Sequence, residues 1–151
     1  MKILYNINLE DYQIIQMRNY LNYSTIEIAN NLLFADVAFV DEKGQNTLFF
    51  KAEILKLFID LNQVLEKIKL GEIENEMIFS TDQNYMFNIE INKKFIVLNY
   101  NKNKILKYDF KKFQLELARN TKKIFSDFKI LYPNYKDIKN IDFLVKSLSR
   151  F

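Results

Sequence analysis

The stretch Tyr85-Met86-Phe87-Asn88-Ile89-Glu90-Ile91-Asn92-Lys93-Lys94-Phe95-Ile96-Val97-Leu98-Asn99-Tyr100 decides the fold. Tyr85, Phe87, Ile89 and Ile91 alternate with Met86, Asn88 and Glu90, which puts rings and branched chains on one side and polar groups on the other. Such a period of two belongs to a half-buried strand. Asn92-Lys93-Lys94 breaks the pattern and Phe95 to Tyr100 resumes it. Working outward, Met77 to Thr81 and Ile105 to Asp109 read as further strands, set off by Asp82-Gln83-Asn84 and Asn101-Lys102-Asn103-Lys104. Four short strands with such spacers predict an antiparallel meander with one apolar face for helices to cover.

Upstream, Phe34 to Val40 and Asn46 to Phe50 flank Asp41-Glu42-Lys43-Gly44, a hairpin signal with glycine at a left-handed bulge position. Ile54, Leu57, Phe58, Leu61, Val64, Leu65 and Ile68 then recur at helical steps, with Gly71 as the stop. Lys2 to Asn8 suits a strand. Asn8-Leu9-Glu10-Asp11 suits the cap of a helix running to about Asn22, although Tyr12 to Gln16 would also serve in a strand. Helices are expected from Phe110 to about Leu131, and from Asp137 to Ser149 through Ile138, Ile141, Leu144, Val145 and Leu148. With no linker and no repeat, residues 1–151 read as a single α+β domain: an antiparallel sheet, built as hairpin, helix and meander, covered by two to four helices. Leu57, Phe58, Leu61, Phe87, Ile89, Phe113 and Leu117 are its expected core.

Composition excludes more chemistry than it suggests. There is no His and no Cys, so no Ser-His-Asp or Cys-His nucleophile, no His-based zinc site and no disulfide is available. The two glycines, Gly44 and Gly71, are too far apart for a phosphate loop or a dinucleotide turn. No catalytic residue, metal or cofactor is therefore expected. No window approaches the roughly 18 apolar residues of a membrane span, and cytoplasmic residence without a membrane partner is the expectation. Oligomeric state is not legible in the sequence.

The net charge of +3 conceals an asymmetry: residues 1–92 carry 7 Lys+Arg against 14 Asp+Glu, and residues 93–151 carry 15 against 5. This pattern either steers a charged partner or pairs the two parts internally. The densest acidic cluster is Glu72, Glu74 and Glu76 with Asp82, a candidate surface for a basic partner; a solvated loop looks the same in sequence. Projected at 100° per residue, the helix from Phe110 gathers Phe113, Leu117, Ile124 and Phe128 on one side. Lys111, Lys112, Arg119, Lys122 and Lys123 gather on another. Together with Lys93, Lys94, Lys102, Lys104, Tyr100 and Tyr108, that basic stripe offers phosphate contacts and rings for base stacking. A pI of 8.9 and the absence of a nucleic-acid motif weigh against it.

Leu48-Phe49-Phe50 entering the Ile54 to Ile68 helix, then Ile78-Phe79, Phe87-Ile89-Ile91 and Ile96-Leu98-Tyr100, resemble the core order of small α+β immunity proteins of bacterial toxin–immunity systems. The resemblance covers roughly residues 34 to 131 and rests on expected core positions, so it carries no site residue with it. It implies a cofactor-free, non-enzymatic protein that binds and blocks a cognate protein toxin. The alternative is a nucleic-acid-binding accessory protein of phage or mobile-element origin that uses the basic helix.

Overall fold

Lys2–Ile7 (β1) ends where the Asn8 side chain accepts from the N–H groups of Glu10 and Asp11, capping Leu9–Gln16 (α1). The structure, a computed structural model, describes residues 1–45, 47–81, 85–92, 94–101 and 104–149. α1 stops at Gln16 and not near Asn22. Only Ile15 of α1 is buried, Leu9 is exposed, and Met17-Arg18-Asn19 brings no further apolar face before a 3₁₀ turn at Tyr20–Asn22. The tyrosines of this segment pack instead on Tyr132, with Tyr12 and Tyr20 edge-on at 5.4 and 5.3 Å. Thr25–Asn31 (α2), a helix that sequence reading did not assign, follows; Ser24 and Glu27 form a reciprocal capping box at its start.

Phe34–Val40 (β2) and Thr47–Glu53 (β3) form the hairpin, with Gly44 at φ +70°. With β1 they make an antiparallel sheet in the order β1-β2-β3. Ile54–Lys69 (α3) leads to a second antiparallel sheet, Asn75–Phe79 (β4), Met86–Asn92 (β5), Phe95–Tyr100 (β6) and Lys104–Asp109 (β7), in chain order. Phe110–Leu131 (α4), a 3₁₀ turn at Tyr135–Asp137 and Ile141–Ser149 (α5) complete the chain. The last helix begins later than its apolar pattern suggests because Asn140, at φ +65°, breaks the run. The α+β class and the antiparallel pairing are as expected, with the strands divided between two sheets.

The sheets meet through rings. Phe39 and Phe50 of the first lie against Phe87 of the second at 5.6 and 5.1 Å, and Phe50 also touches Tyr85 and Tyr100. α3 and α4 fill the remaining inner space, and Leu57, Phe58, Leu61, Phe87, Ile89, Phe113 and Leu117 are all buried. Two residues taken as core by resemblance are not. Phe49 is 76% exposed and Phe79 56% exposed, because each falls on the odd-numbered, outward face of an edge strand.

Candidate functional site

α3 ends in a six-residue wrap: Gly71 at φ +70° donates to Ile68 O, and Glu72 N–H donates to Lys67 O at 2.9 Å. This Schellman turn sends the chain back antiparallel to α3 as β4. Glu72 and Glu74 lie in the bends between Gly71 and the strand, and Glu76 is in β4 itself. Glu72 and Glu74 are exposed, while Glu76 turns toward α3 and pairs with Lys67 at 3.1 Å. The three carboxylates follow one another along the approach to β4 and do not converge on a point. Asp82, the fourth acidic candidate, lies outside the described residues.

Beside this acidic line the second sheet presents an outer face that no helix covers. Inward, Ile78, Phe87, Ile89, Ile96, Leu98, Leu106 and Tyr108 are buried. Outward, the register sets Phe79 beside Met86, and Met77 in a row with Asn88, Asn99 and Ile105. Met77 is 52% and Ile105 69% exposed. Glu90, in the next row, accepts from Asn88 Nδ2 at 2.6 Å and Asn99 Nδ2 at 3.3 Å, which fixes the polar centre of the face.

The basic stripe of α4 exists, and much of it is engaged. Lys111, Lys112, Arg119, Lys122 and Lys123 are all exposed. However, Lys112 pairs with Glu42 at 3.0 Å, Arg119 with Glu116 at 3.0 Å, and Lys123 lies over the Tyr5 ring at 4.8 Å. Exposed Leu115 and Ile130 interrupt the same surface. The stacking rings proposed for this stripe are not available: Tyr108 is buried and stacked on Phe113, and Tyr100 packs on Phe50 and Phe87. Lys93 and Lys102 lie outside the described residues. Of the six ion pairs among the described residues, only Lys112–Glu42 joins the acidic and basic parts of the chain. Among the described residues, ion pairing between the acidic and basic parts of the chain is thus confined to this one contact.

Sequence reading missed a polar stripe on α3. Lys56, Asp60, Gln63 and Lys67 follow one another along the β4 edge and line a cleft of about 150 Å³ with Glu76, Met77 and Phe79. Lys56 Nζ bonds Asp60 Oδ2, and it donates to Phe79 O at 2.8 Å. Burial pushes the Asp60 carboxyl above its ordinary range, and the Lys56 ammonium opposes that shift. On the other side of the same ion pair a second cleft, of about 290 Å³, runs to Ile26 and Phe143. The i, i+4 spacing of Lys56 and Asp60 was visible in sequence; that it bordered a strand edge was not.

A further polar group lies at the start of α3. Glu53 is 1% exposed and Tyr85 fully buried, and neither Glu53 Oε2 nor the Tyr85 hydroxyl has a hydrogen-bond partner among the described residues. Glu53 Oε1 accepts from Thr81 N–H at 3.2 Å. Burial, with the nearby Glu53 and Asp60 carboxylates, raises the Tyr85 phenol well above its usual range and keeps it protonated. Among the described residues no group of three or more carboxylates converges to hold a metal ion, and no helix is long and apolar enough to cross a membrane. No family model, no curated protein and no solved structure matches the chain.

Proposed function

We propose that the chain is a non-enzymatic binding protein of the immunity or inhibitor kind, which neutralises a cognate protein toxin by covering it. The observation that carries this reading is the uncovered outer face of the β4–β7 sheet, with Met77, Phe79 and Ile105 exposed on it and Glu72 and Glu74 at its edge. An apolar patch with a charged rim is the usual form of a protein interface, in which the charge sets encounter rate and register. A toxin that cuts nucleic acid presents a basic groove. The acidic excess of residues 1–92 would attract such a groove. The protein acts in the cytoplasm and needs no cofactor in this reading.

The test is a binding assay against the product of the neighbouring toxin-like gene. A stoichiometric complex is expected. Reversal of Glu72, Glu74, Glu76 and Asp82 to Lys should slow association while leaving the fold intact, since the one ion pair it breaks among the described residues, Lys67–Glu76, is partly exposed. No complex with any neighbour-encoded protein would overturn the reading. A tight complex indifferent to these four residues would move the interface to another surface.

A further inference from the structure

Main-chain hydrogen bonds show which way each strand faces. Ser80 N–H donates to Tyr85 O and Ile91 N–H to Glu74 O, so the even-numbered residues of β4 bond to β5. Asn75, Met77 and Phe79 turn their N–H and C=O groups to the open edge. The other edges are guarded. β1 is closed by α4, whose Glu116 accepts from Ile3 N–H at 3.0 Å. By the same alternation β3 and β7 carry lysine at edge-facing positions, Lys51 and Lys107, a common defence against strand addition. β4 has no cation at its three edge-facing positions, and among the described residues only the Lys56 ammonium, bonded to Phe79 O, stands where an incoming N–H would sit.

We propose that this edge binds a second copy of the chain, β4 against β4 antiparallel about a two-fold axis at Met77, joining two four-stranded sheets into one of eight strands. The register follows from the open groups: Met77 meets its own symmetry mate, and Asn75 meets Phe79, so all three edge-facing residues are paired. No other symmetric register pairs all three. The charges agree with it. α3 runs antiparallel to β4, with Lys67 beside Glu76 and Lys56 beside Phe79. An incoming β4 in this register lays its Glu74 and Glu76 beside Ser80 and Ile78, within reach of Lys56. Phe79 O then takes the Asn75 N–H of the second copy, and the Lys56 ammonium, released from Phe79 O and still paired with Asp60, turns its vacated donor toward those carboxylates. Met77 and Phe79, exposed in the single chain, continue the apolar rows across the junction. Self-association needs no toxin, so it stands or falls separately from the immunity reading.

The experiment is sedimentation of the full chain from about 1 µM to about 1 mM, the range in which a small interface associates, with amide hydrogen exchange at both ends of the range. Expected is a reversible dimer in which the Asn75 and Met77 amides gain protection as concentration rises. Met77→Pro should give a monomer with an unchanged thermal midpoint, because that N–H makes no bond to β5. If proline disturbs the strand, Met77→Lys applies the guard used at the other edges and should act alike. Glu74→Lys should raise the dissociation constant roughly tenfold. A monomer throughout the range would overturn the proposal. So would a dimer with unprotected β4 amides that persists in Met77→Lys.

Discussion

The backbone N–H of Ile3 donates to Glu116 Oε1 at 3.0 Å, so a carboxylate on α4 closes the free edge of β1 across 113 positions of chain. The same carboxylate receives Asn120 Nδ2 at 3.2 Å and the Arg119 guanidinium at 3.0 Å. Glu116→Ala leaves the Ile3 N–H buried without an acceptor, while Asn120 Nδ2 keeps its bond to the Glu116 carbonyl at 2.9 Å, and the change should cost about 1 to 3 kcal/mol in chemical denaturation. Glu116→Gln keeps an acceptor and should cost less than half as much. Equal losses in the two variants would show that the edge contact is immaterial.

Phe113 and Phe49 are both phenylalanines that sequence reading assigns to the core, and they should respond oppositely. Phe113 is fully buried, stacked on Tyr108 at 6.0 Å, and its truncation to Ala should cost roughly 3 to 5 kcal/mol. Phe49 faces solvent, and Phe49→Ala should change stability by no more than about 0.5 kcal/mol. Denaturation midpoints of the two variants decide the matter.

Four phenols are held well above their ordinary value of 10.0. Burial is the first cause at Tyr5, Tyr85, Tyr108 and Tyr132, and at Tyr5 the bond to Asp127 at 2.6 Å adds to it. A raised native pKa means that the unfolded chain loses these protons first. Their contribution to stability is therefore complete below about pH 10 and declines as pH rises beyond it. Absorbance at the phenolate band should show these four ionising together with unfolding, after the exposed tyrosines. Tyr132→Phe should also lose stability at neutral pH, because its hydroxyl donates to the buried Leu32 carbonyl at 2.6 Å. Smooth independent ionisation of all nine tyrosines, before any loss of fold, would contradict this account.

Binding of nucleic acid through α4 should be weak. Three of its five cations are engaged within the fold, and the nearby rings are in the core, so stoichiometric binding of DNA or RNA at physiological ionic strength is not expected. If such binding occurred, fell steeply with salt, and weakened when Arg119, Lys122 and Lys123 became Ala together, the accessory-protein alternative would replace the immunity reading.

The meander and the two long helices could be read from sequence because their apolar periods are long and uninterrupted: the bounds of β6 and α4 coincide with the pattern. Residues 9–33 were harder. Their helices are short and bury one residue in α1 and one in α2, so hydrophobic spacing carried little signal and the capping groups Asn8 and Ser24 held most of it. Phe49 and Phe79 show a different limit. In β4 period two tells which residues share a face but not which face is inside, since Met77 and Phe79 alternate with Glu76 and Ile78; in β3 the polar set of Thr47, Lys51 and Glu53 places Phe49 outside, and grouping Leu48-Phe49-Phe50 as one core block overrode that alternation. For the candidate site, the sequence shows that Glu72, Glu74 and Glu76 are near one another in the chain, but not that Glu76 turns to Lys67. The Lys56–Asp60 cleft depended on how α3 lies against β4, a relationship between elements that no local pattern encodes.

The long reach from Ile3 to Glu116 also bears on the order in which the molecule assembles. β4 to β7 pair only with sequence neighbours, and α3 docks on the strand that follows it, so this part closes through short loops at small entropic cost. β1 must find β2 across the intervening helices and then wait for α4 to seal its edge. On a ribosome, β1 is made before the strands it joins and finished after them, and its edge remains open until residue 116 has emerged and folded. A pause in translation between the meander and α4 would lengthen the time for which that strand is free to pair with another nascent chain.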